Sequence, residues 1–216
     1  IVNSLIRSAR QKIAVIYQDD AFGKDGLRSA EAALKKHGLK PVAIATVQRN
    51  SAQINPALRV LEKAQPNAVI IISTYVSSAA LSKALLQKNI KARIMNVSFV
   101  GTRALENSLP VGQANGIGVS QVVPFPWDRW IPVVADYQRL MRVNNSSARF
   151  GFTSLEGFMA ARLITEGIKN VQGPLTREAL ITSLKSIKKV DLGGFQLDLS
   201  SNNKQASDYV ELTFFG

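Results

Sequence analysis

Apolar runs and helically spaced apolar residues alternate along the first 120 residues of the chain. Runs typical of buried strands occupy positions 12–17, 41–47, 67–73, 92–98 and 116–123. Between the first four runs, apolar residues recur with helical spacing at 24–37, 51–64 and 77–88. The run at 67–73 is continuously apolar and β-branched, which predicts a strand buried on both faces at the centre of a sheet. Strands that alternate with helices through short connections predict an α/β fold with a doubly wound parallel sheet.

The pattern changes at the segment PFPWDRW, residues 124–130, which holds two prolines and three aromatic residues. This composition ends the last strand and predicts a crossing or hinge. Beyond it, the spacing predicts helices at 128–143, 154–169 and 176–187, and half-buried or edge strands at 194–200 and 209–215. The chain therefore divides into an α/β part at 1–122, a helical segment at 123–190 and C-terminal strands at 191–216.

The composition excludes several kinds of chemistry. The chain has a net charge of +12, no cysteine and one histidine, His37. It can form no disulfide, thiolate metal site or multi-histidine metal site, and we expect no metal and no other cofactor. No apolar run approaches the roughly 18–20 residues that span a bilayer. The basic residues are scattered with few aromatics among them, so we interpret them as a solvated basic surface and expect no nucleic-acid partner.

The turn after the first apolar run carries Asp19, Asp20, Gly23 and Gly26, a set that raises three chemical hypotheses. The glycines fit neither nucleotide-binding pattern, G-x-G-x-x-G or G-x-x-x-x-G-K-S/T. A calcium loop of EF-hand type would need oxygen-bearing side chains where Ala21 and Gly23 stand. A flavodoxin-like phosphoacceptor domain would need an aspartate after the third strand and a lysine after the fifth, and the sequence has neither there.

A ligand cleft is the interpretation that remains. In an open α/β sheet, ligands bind beyond the carboxyl ends of the strands. Aromatic and hydroxyl-bearing residues are expected at those ends, within 19–22, 73–75, 98–99 and 120–121. Such a set suits a small, partly apolar molecule held by stacking and hydrogen bonds. No paired general acid and base emerges, so we expect a binding protein and not an enzyme. Each hydroxyl and each aspartate has helix capping as its alternative role.

Four segments resemble a known family. They are KIAVIYQDDAFGKDGLRSAEAALKKHGLKPVA, PNAVIIIS, SLEGFMAARLITEGIK and GFQLDLSSNNKQASDYVELTFF. In this order they are similar to type I periplasmic solute-binding proteins, and most of all to the leucine/isoleucine/valine-binding branch, whose members feed ABC importers. The resemblance covers essentially the whole chain. It implies a non-enzymatic periplasmic protein with two α/β lobes that close around a small solute.

The resemblance also implies how the chain divides between the lobes. Residues 1–122 are similar to the second lobe, residues 123–190 to a helical return segment of the first lobe, and residues 191–216 to strands near the hinge. The family's opening segment, which carries most of the first lobe's sheet, has no counterpart here. Helices without that sheet would expose an apolar face, so we expect self-association or domain exchange through residues 126–190.

The family pattern assigns ligand contacts to residues at the strand ends, namely Phe22, Ser73, Thr74, Tyr75, Ser98 and Phe99. Secondary candidates are Asp20, Gln121 and Glu156. The family's amino-acid binders place a carboxylate after the fourth strand to meet the ligand ammonium. Here that region reads NVSFVGT, with Ser98 near the expected place. An ammonium would therefore lack its charge-assisted partner unless Asp20 or Glu156 moves in.

The expected ligand is a branched-chain or other hydrophobic amino acid, or an aromatic or aliphatic carboxylate that lacks the amino group. The expected partners are this solute and an ABC permease in the membrane. A sensory ligand-binding domain of the same fold is the alternative function.

Overall fold

The computed structural model describes residues 1–200 and 205–216. The stretch 201–204, inside the last of the four family-like segments, lies outside the described residues. The chain forms two compact units. The first comprises Ile1–Gln121 together with Leu212–Gly216, and the second comprises Val122–Glu211.

The first unit contains five of the described helices and, with the last strand of the chain, a six-stranded sheet. In chain order its elements are α1 (Val2–Arg7), β1 (Ile13–Gln18), α2 (Ala21–Lys35), β2 (Ala43–Val47), α3 (Asn55–Ala64), β3 (Ala68–Ile72), α4 (Tyr75–Gln87), β4 (Arg93–Asn96), α5 (Thr102–Asn107) and β5 (Gly118–Gln121). A short 3₁₀ helix, Ser98–Val100, follows β4.

The second unit is mainly helical. Its elements are α6 (Pro132–Asn144), α7 (Phe152–Lys169), α8 (Arg177–Ser186), β6 (Lys189–Asp191) and β7 (Gln196–Asp198). The chain then returns to the first unit's sheet as β8 (Glu211–Phe214). In the second unit β6 and β7 form an antiparallel pair, and the helices enclose a core around Val134, Tyr137, Leu155 and Phe195.

The sheet of the first unit has the strand order β2-β1-β3-β4-β5-β8. β1 pairs in parallel with β2 and β3, and β4 pairs in parallel with β3 and β5. β3 is buried along its whole length, as its continuous apolar run predicts. Its side chains alternate between two cores: Val69 and Ile71 pack with residues of α3 and α4, whereas Ile70 and Ile72 pack with residues of α1 and α2. Helices therefore cover both faces, and the predicted doubly wound α/β fold is confirmed.

The structure differs from the sequence-based elements mainly at their ends. Helix α2 begins at Ala21 rather than residue 24, and α4 begins at Tyr75 rather than residue 77. Three short elements, α1, α5 and β6, were not predicted, because segments of three to six residues carry too little periodicity to be recognised. The last strand of the chain, β8, lies beside β5 at the edge of the first unit's sheet.

Candidate functional site

The carboxyl ends of the parallel strands in the first unit lie along one edge of the sheet, because parallel strands all run in the same direction. The residues that follow β1, β3 and β4 at this edge include six of the predicted ligand contacts: Phe22, Ser73, Thr74, Tyr75, Ser98 and Phe99. In an α/β sheet this edge is where ligands bind.

Asp20 shapes the beginning of α2. Its carboxylate accepts a hydrogen bond from the backbone N–H of Gly23 at 2.9 Å and a second one from the Gln18 side-chain amide. The Gly23 N–H and then the Gln18 amide hold the pKa of the Asp20 carboxyl below its ordinary value. Asp20 is therefore the N-cap of α2. The helix begins at Ala21, so Phe22 lies in its first turn. The adjacent Asp19 faces Lys24, with 3.6 Å between Oδ1 and Nζ.

Gly23 is required by a close backbone approach in the same turn. A Cβ at this position would lie 1.9 Å from the carbonyl oxygen of Gln18, far inside van der Waals contact. The glycine that fits no nucleotide-binding pattern thus serves to bring the start of α2 against the end of β1.

Two aromatic rings from the helices that follow β1 and β4 meet at the edge. Phe22, in the first turn of α2, and Phe99, in the 3₁₀ helix after β4, have ring centroids 4.4 Å apart and planes inclined by 43°. Phe22 remains 37% exposed and Phe99 47% exposed. Tyr75, the first residue of α4, is exposed as well. Together these rings give the edge an apolar, solvent-facing surface suited to stacking.

Unpaired polar atoms lie at the carboxyl ends of two adjacent strands, β1 and β3. Ser73 and Thr74, between β3 and α4, are both buried, and within the described part of the chain neither hydroxyl has a hydrogen-bond partner. The same holds for Oε1 of Gln18 at the end of β1. Tyr17 pairs with Ile72, so Gln18 and Ser73 are the next residues on adjacent strands. Buried polar atoms in proteins nearly always have a partner, so this cluster is unusual.

The remaining candidates have other surroundings. Gln121 is buried, and its amide donates to the hydroxyls of Thr102 and Thr213, both at 2.9 Å. It ties β5 to α5 and β8, and both of its N–H groups are used. Ser98 is partly buried and opens the 3₁₀ helix. Glu156 is exposed on α7 and belongs to the second unit.

Sequence reasoning missed two polar residues at strand ends. Gln18, at the end of β1, donates a hydrogen bond to the Asp20 carboxylate, and Asn96, at the end of β4, accepts a hydrogen bond from Ser78 at 2.6 Å. Both are polar residues at the last position of a strand, next to buried apolar residues. A polar residue directly after a buried apolar stretch is the sequence signal that both share.

Residues 1–200 and 205–216 contain neither a membrane-spanning helix nor a cluster of metal-ligating side chains. No helix in these ranges is long and apolar enough to cross a membrane. Nor does this part of the chain bring three histidine, aspartate or glutamate side chains together as metal ligands.

Residues 1–213 match the profile of a family described as "Periplasmic binding protein". The chain belongs to this family, whose members bind solutes rather than catalyse reactions. No protein of curated function matches the chain significantly.

Solved structures resemble the chain over its whole length. A "possible leucine/isoleucine/valine-binding protein" from Rhodopirellula baltica is 30% identical, with a TM-score of 0.92 over 99% of this chain. A substrate-binding periplasmic protein from Ralstonia solanacearum is 27% identical, with a TM-score of 0.91 over 100% of this chain. An extracellular ligand-binding receptor from Verminephrobacter eiseniae is 25% identical, with a TM-score of 0.86 over 100% of this chain. The matches cover 59%, 62% and 61% of those chains, so this chain spans about three fifths of their length.

Proposed function

We propose that this chain acts in the periplasm as the substrate-binding component of an ABC importer. It would bind a branched-chain or other hydrophobic amino acid, or a related small carboxylate, between two lobes and deliver it to a membrane permease. The observation that carries the proposal is the contact between Phe22 and Phe99 at the carboxyl edge of a parallel sheet, the edge that also carries Ser73 and Thr74. The description of the Rhodopirellula baltica protein as a possible leucine/isoleucine/valine-binding protein supports the same class of solute.

Within this proposal the edge residues divide by chemistry. Phe22, Tyr75 and Phe99 contact the apolar part of the solute, because their rings are exposed. Polar groups of the solute bind the hydroxyls of Ser73, Thr74 and Ser98, each of which can donate and accept a hydrogen bond.

Three secondary candidates take supporting roles. The side chains of Asp20 and Gln121 already make hydrogen bonds within the first unit. We therefore propose that Asp20 positions Phe22 and that Gln121 positions the end of β5. Glu156, exposed on α7, is the candidate partner for an ammonium group.

We also propose how the segments of the chain divide between the two lobes. Residues 1–122 form one lobe, residues 123–190 the helical part of the other, and residues 191–216 the strands near the hinge. Two facts support this assignment: the first compact unit ends at Gln121, and β8 returns to its sheet.

Calorimetric titration tests the binding function. Leucine, isoleucine, valine, phenylalanine and the corresponding acids without the amino group are titrated into the protein, and saturable one-site binding of at least one of them is expected. Leu86→Ala, which removes an exposed side chain near the far end of α4, serves as the control for Phe99→Ala. Binding that is lost equally in both variants, or no binding of any solute to a folded protein, contradicts the proposal. Uptake of the bound solute by membrane vesicles that contain the permease separates transport from a sensory role.

We also propose that the second unit associates with another copy of the chain through residues 126–190. Ile164 and Ile168 lie one turn apart on α7 and are 45% and 40% exposed. Further exposed apolar side chains in this segment belong to Trp127, Trp130, Leu175 and Ile181. Contiguous exposed apolar surface is a frequent mark of a protein interface.

A further inference from the structure

The start of α4 has hydrogen-bond donors without acceptors. The first three backbone N–H groups of any helix lack an intrahelical acceptor, and the Thr74 side chain, at the N-cap, makes no capping hydrogen bond. Thr74 and the preceding Ser73 are buried, and neither hydroxyl has a partner among the described residues. Two hydroxyl groups and a helix terminus therefore present unused donors at one place.

The charge at this place favours an anion. α4 is 13 residues long, so its N-terminus carries the positive end of a substantial helix dipole. A carboxylate of the solute would accept from the Ser73 and Thr74 hydroxyls as well as from the helix N–H groups. The unpaired hydroxyls of Ser73 and Thr74 indicate a ligand independently of the helix terminus.

An ammonium group finds no comparable partner at this edge. The carboxylate of Asp20 already accepts from Gly23 and Gln18, and Asp19 faces Lys24. The residues that follow β3 and β4 include no acid before Glu106, and those that follow β5 include none before Asp128. The third unpaired atom at this edge, Gln18 Oε1, is a neutral acceptor and gives an ammonium group no carboxylate to pair with.

We propose that Ser73, Thr74 and the N-terminus of α4 form a carboxylate-binding subsite, and that the solute is a small hydrophobic or aromatic carboxylic acid without an amino group. This inference rests on the proposed solute-binding function and narrows its ligand class. The exposed rings of Phe22 and Phe99 contact the body of the acid, while the first unit holds its carboxylate.

Matched pairs of ligands test the subsite by calorimetry. Isocaproate is leucine without its amino group, isocaproamide is the same molecule with a neutral amide, and benzoate and benzamide form a second pair. We expect the two acids to bind at least about tenfold more tightly than leucine and the two amides, because a charge-assisted hydrogen bond is worth roughly a factor of ten or more.

Three variants locate the effect. Ser73→Ala and Thr74→Val each remove one unpaired hydroxyl, and each is expected to weaken binding of isocaproate about tenfold. Ser82→Ala is the matched control, because Ser82 is also buried in α4 with an unpaired hydroxyl but lies two turns from its start. Its affinity is expected to stay within about twofold of the unmodified protein.

The outcomes separate this inference from the proposed function. Leucine binding more tightly than isocaproate overturns the inference and leaves the solute-binding function intact. The same holds if Ser73→Ala and Thr74→Val change the affinity no more than Ser82→Ala does. If none of the acids, amides or amino acids binds to the folded protein, both the inference and the proposed function fail.

Discussion

Phe22 and Phe99 lie in contact, with ring centroids 4.4 Å apart, although they follow strands β1 and β4, which are separated in the sheet by β3. The first turns of the helices after β1 and β4 thus bring their rings together at the edge where ligands bind in this fold. Each ring still exposes more than a third of its surface. The pair therefore has apolar area left to contact a ligand.

Removal of either ring should lower the affinity for the ligand more than it lowers the stability of the fold. Phe22→Ala and Phe99→Ala are each expected to lower the affinity for a bound solute about tenfold or more, because aromatic contacts dominate such sites. A double-mutant cycle measured by calorimetry should give a coupling of about 0.5–1.5 kcal/mol between the rings. Strictly additive effects would show that the rings act separately, and Leu86→Ala, at an exposed site distant in α4, is expected to leave affinity unchanged.

The N-cap at Asp20 should make stability depend on pH. Its pKa is lowered in the folded protein from an ordinary value of 3.8, so its stabilising effect is fully present above that value and is lost as the pH falls through the lower folded pKa. Urea unfolding of the protein and of Asp20→Asn should show a constant difference from neutral pH down to about pH 5, shrinking below it. A difference that grows on acidification would contradict this role. Asp25→Asn, at an exposed position within α2, is the control.

Gly23 and Gly157 should respond in opposite ways to the same substitution. Gly23→Ala places a methyl group 1.9 Å from the Gln18 carbonyl oxygen and is expected to destabilise the protein by about 2 kcal/mol or more. Gly157→Ala meets no atom within 4 Å on helix α7 and should be neutral or stabilising by up to about 1 kcal/mol. Thermal unfolding followed by circular dichroism measures both, and equal losses of stability would refute the close approach at Gly23.

The apolar side of α7 should govern self-association. Ile164→Lys and Ile168→Lys introduce charge into this surface and are expected to shift an associating protein to monomer, with little loss of stability because both side chains are exposed. Light scattering over a range of concentrations measures the mass. Val111→Lys, at a fully exposed position in the first unit, should change nothing. A monomer at every concentration before any substitution would rule out association through this segment.

The sequence predicts the first unit well, since burial on both faces leaves a continuous apolar run, as in β3, and helices carry their own spacing. It also predicts a helix at 176–187, and α8 occupies Arg177–Ser186 with Thr176 as its N-cap, whose hydroxyl accepts from the Ala179 N–H at 3.1 Å. Pattern alone does not reveal how side chains are used. Gln121 looks like a cleft residue by its position, yet hydrogen bonds to two threonines occupy its amide.

The same limit applies at the candidate site. The pairing of Phe22 with Phe99 depends on where the helices after β1 and β4 begin, and the unpaired hydroxyls at Ser73 and Thr74 depend on the absence of acceptors in three dimensions. Neither follows from spacing along the chain.

The central claim is that the carboxyl edge of the first unit binds a small hydrophobic solute. Its most direct test is a calorimetric titration of isocaproate and leucine into the unmodified protein and into Phe99→Ala. Saturable one-site binding to the unmodified protein that weakens at least about tenfold in the variant is the predicted result. Absence of binding to the folded protein, or equal affinity in the two forms, would contradict the claim.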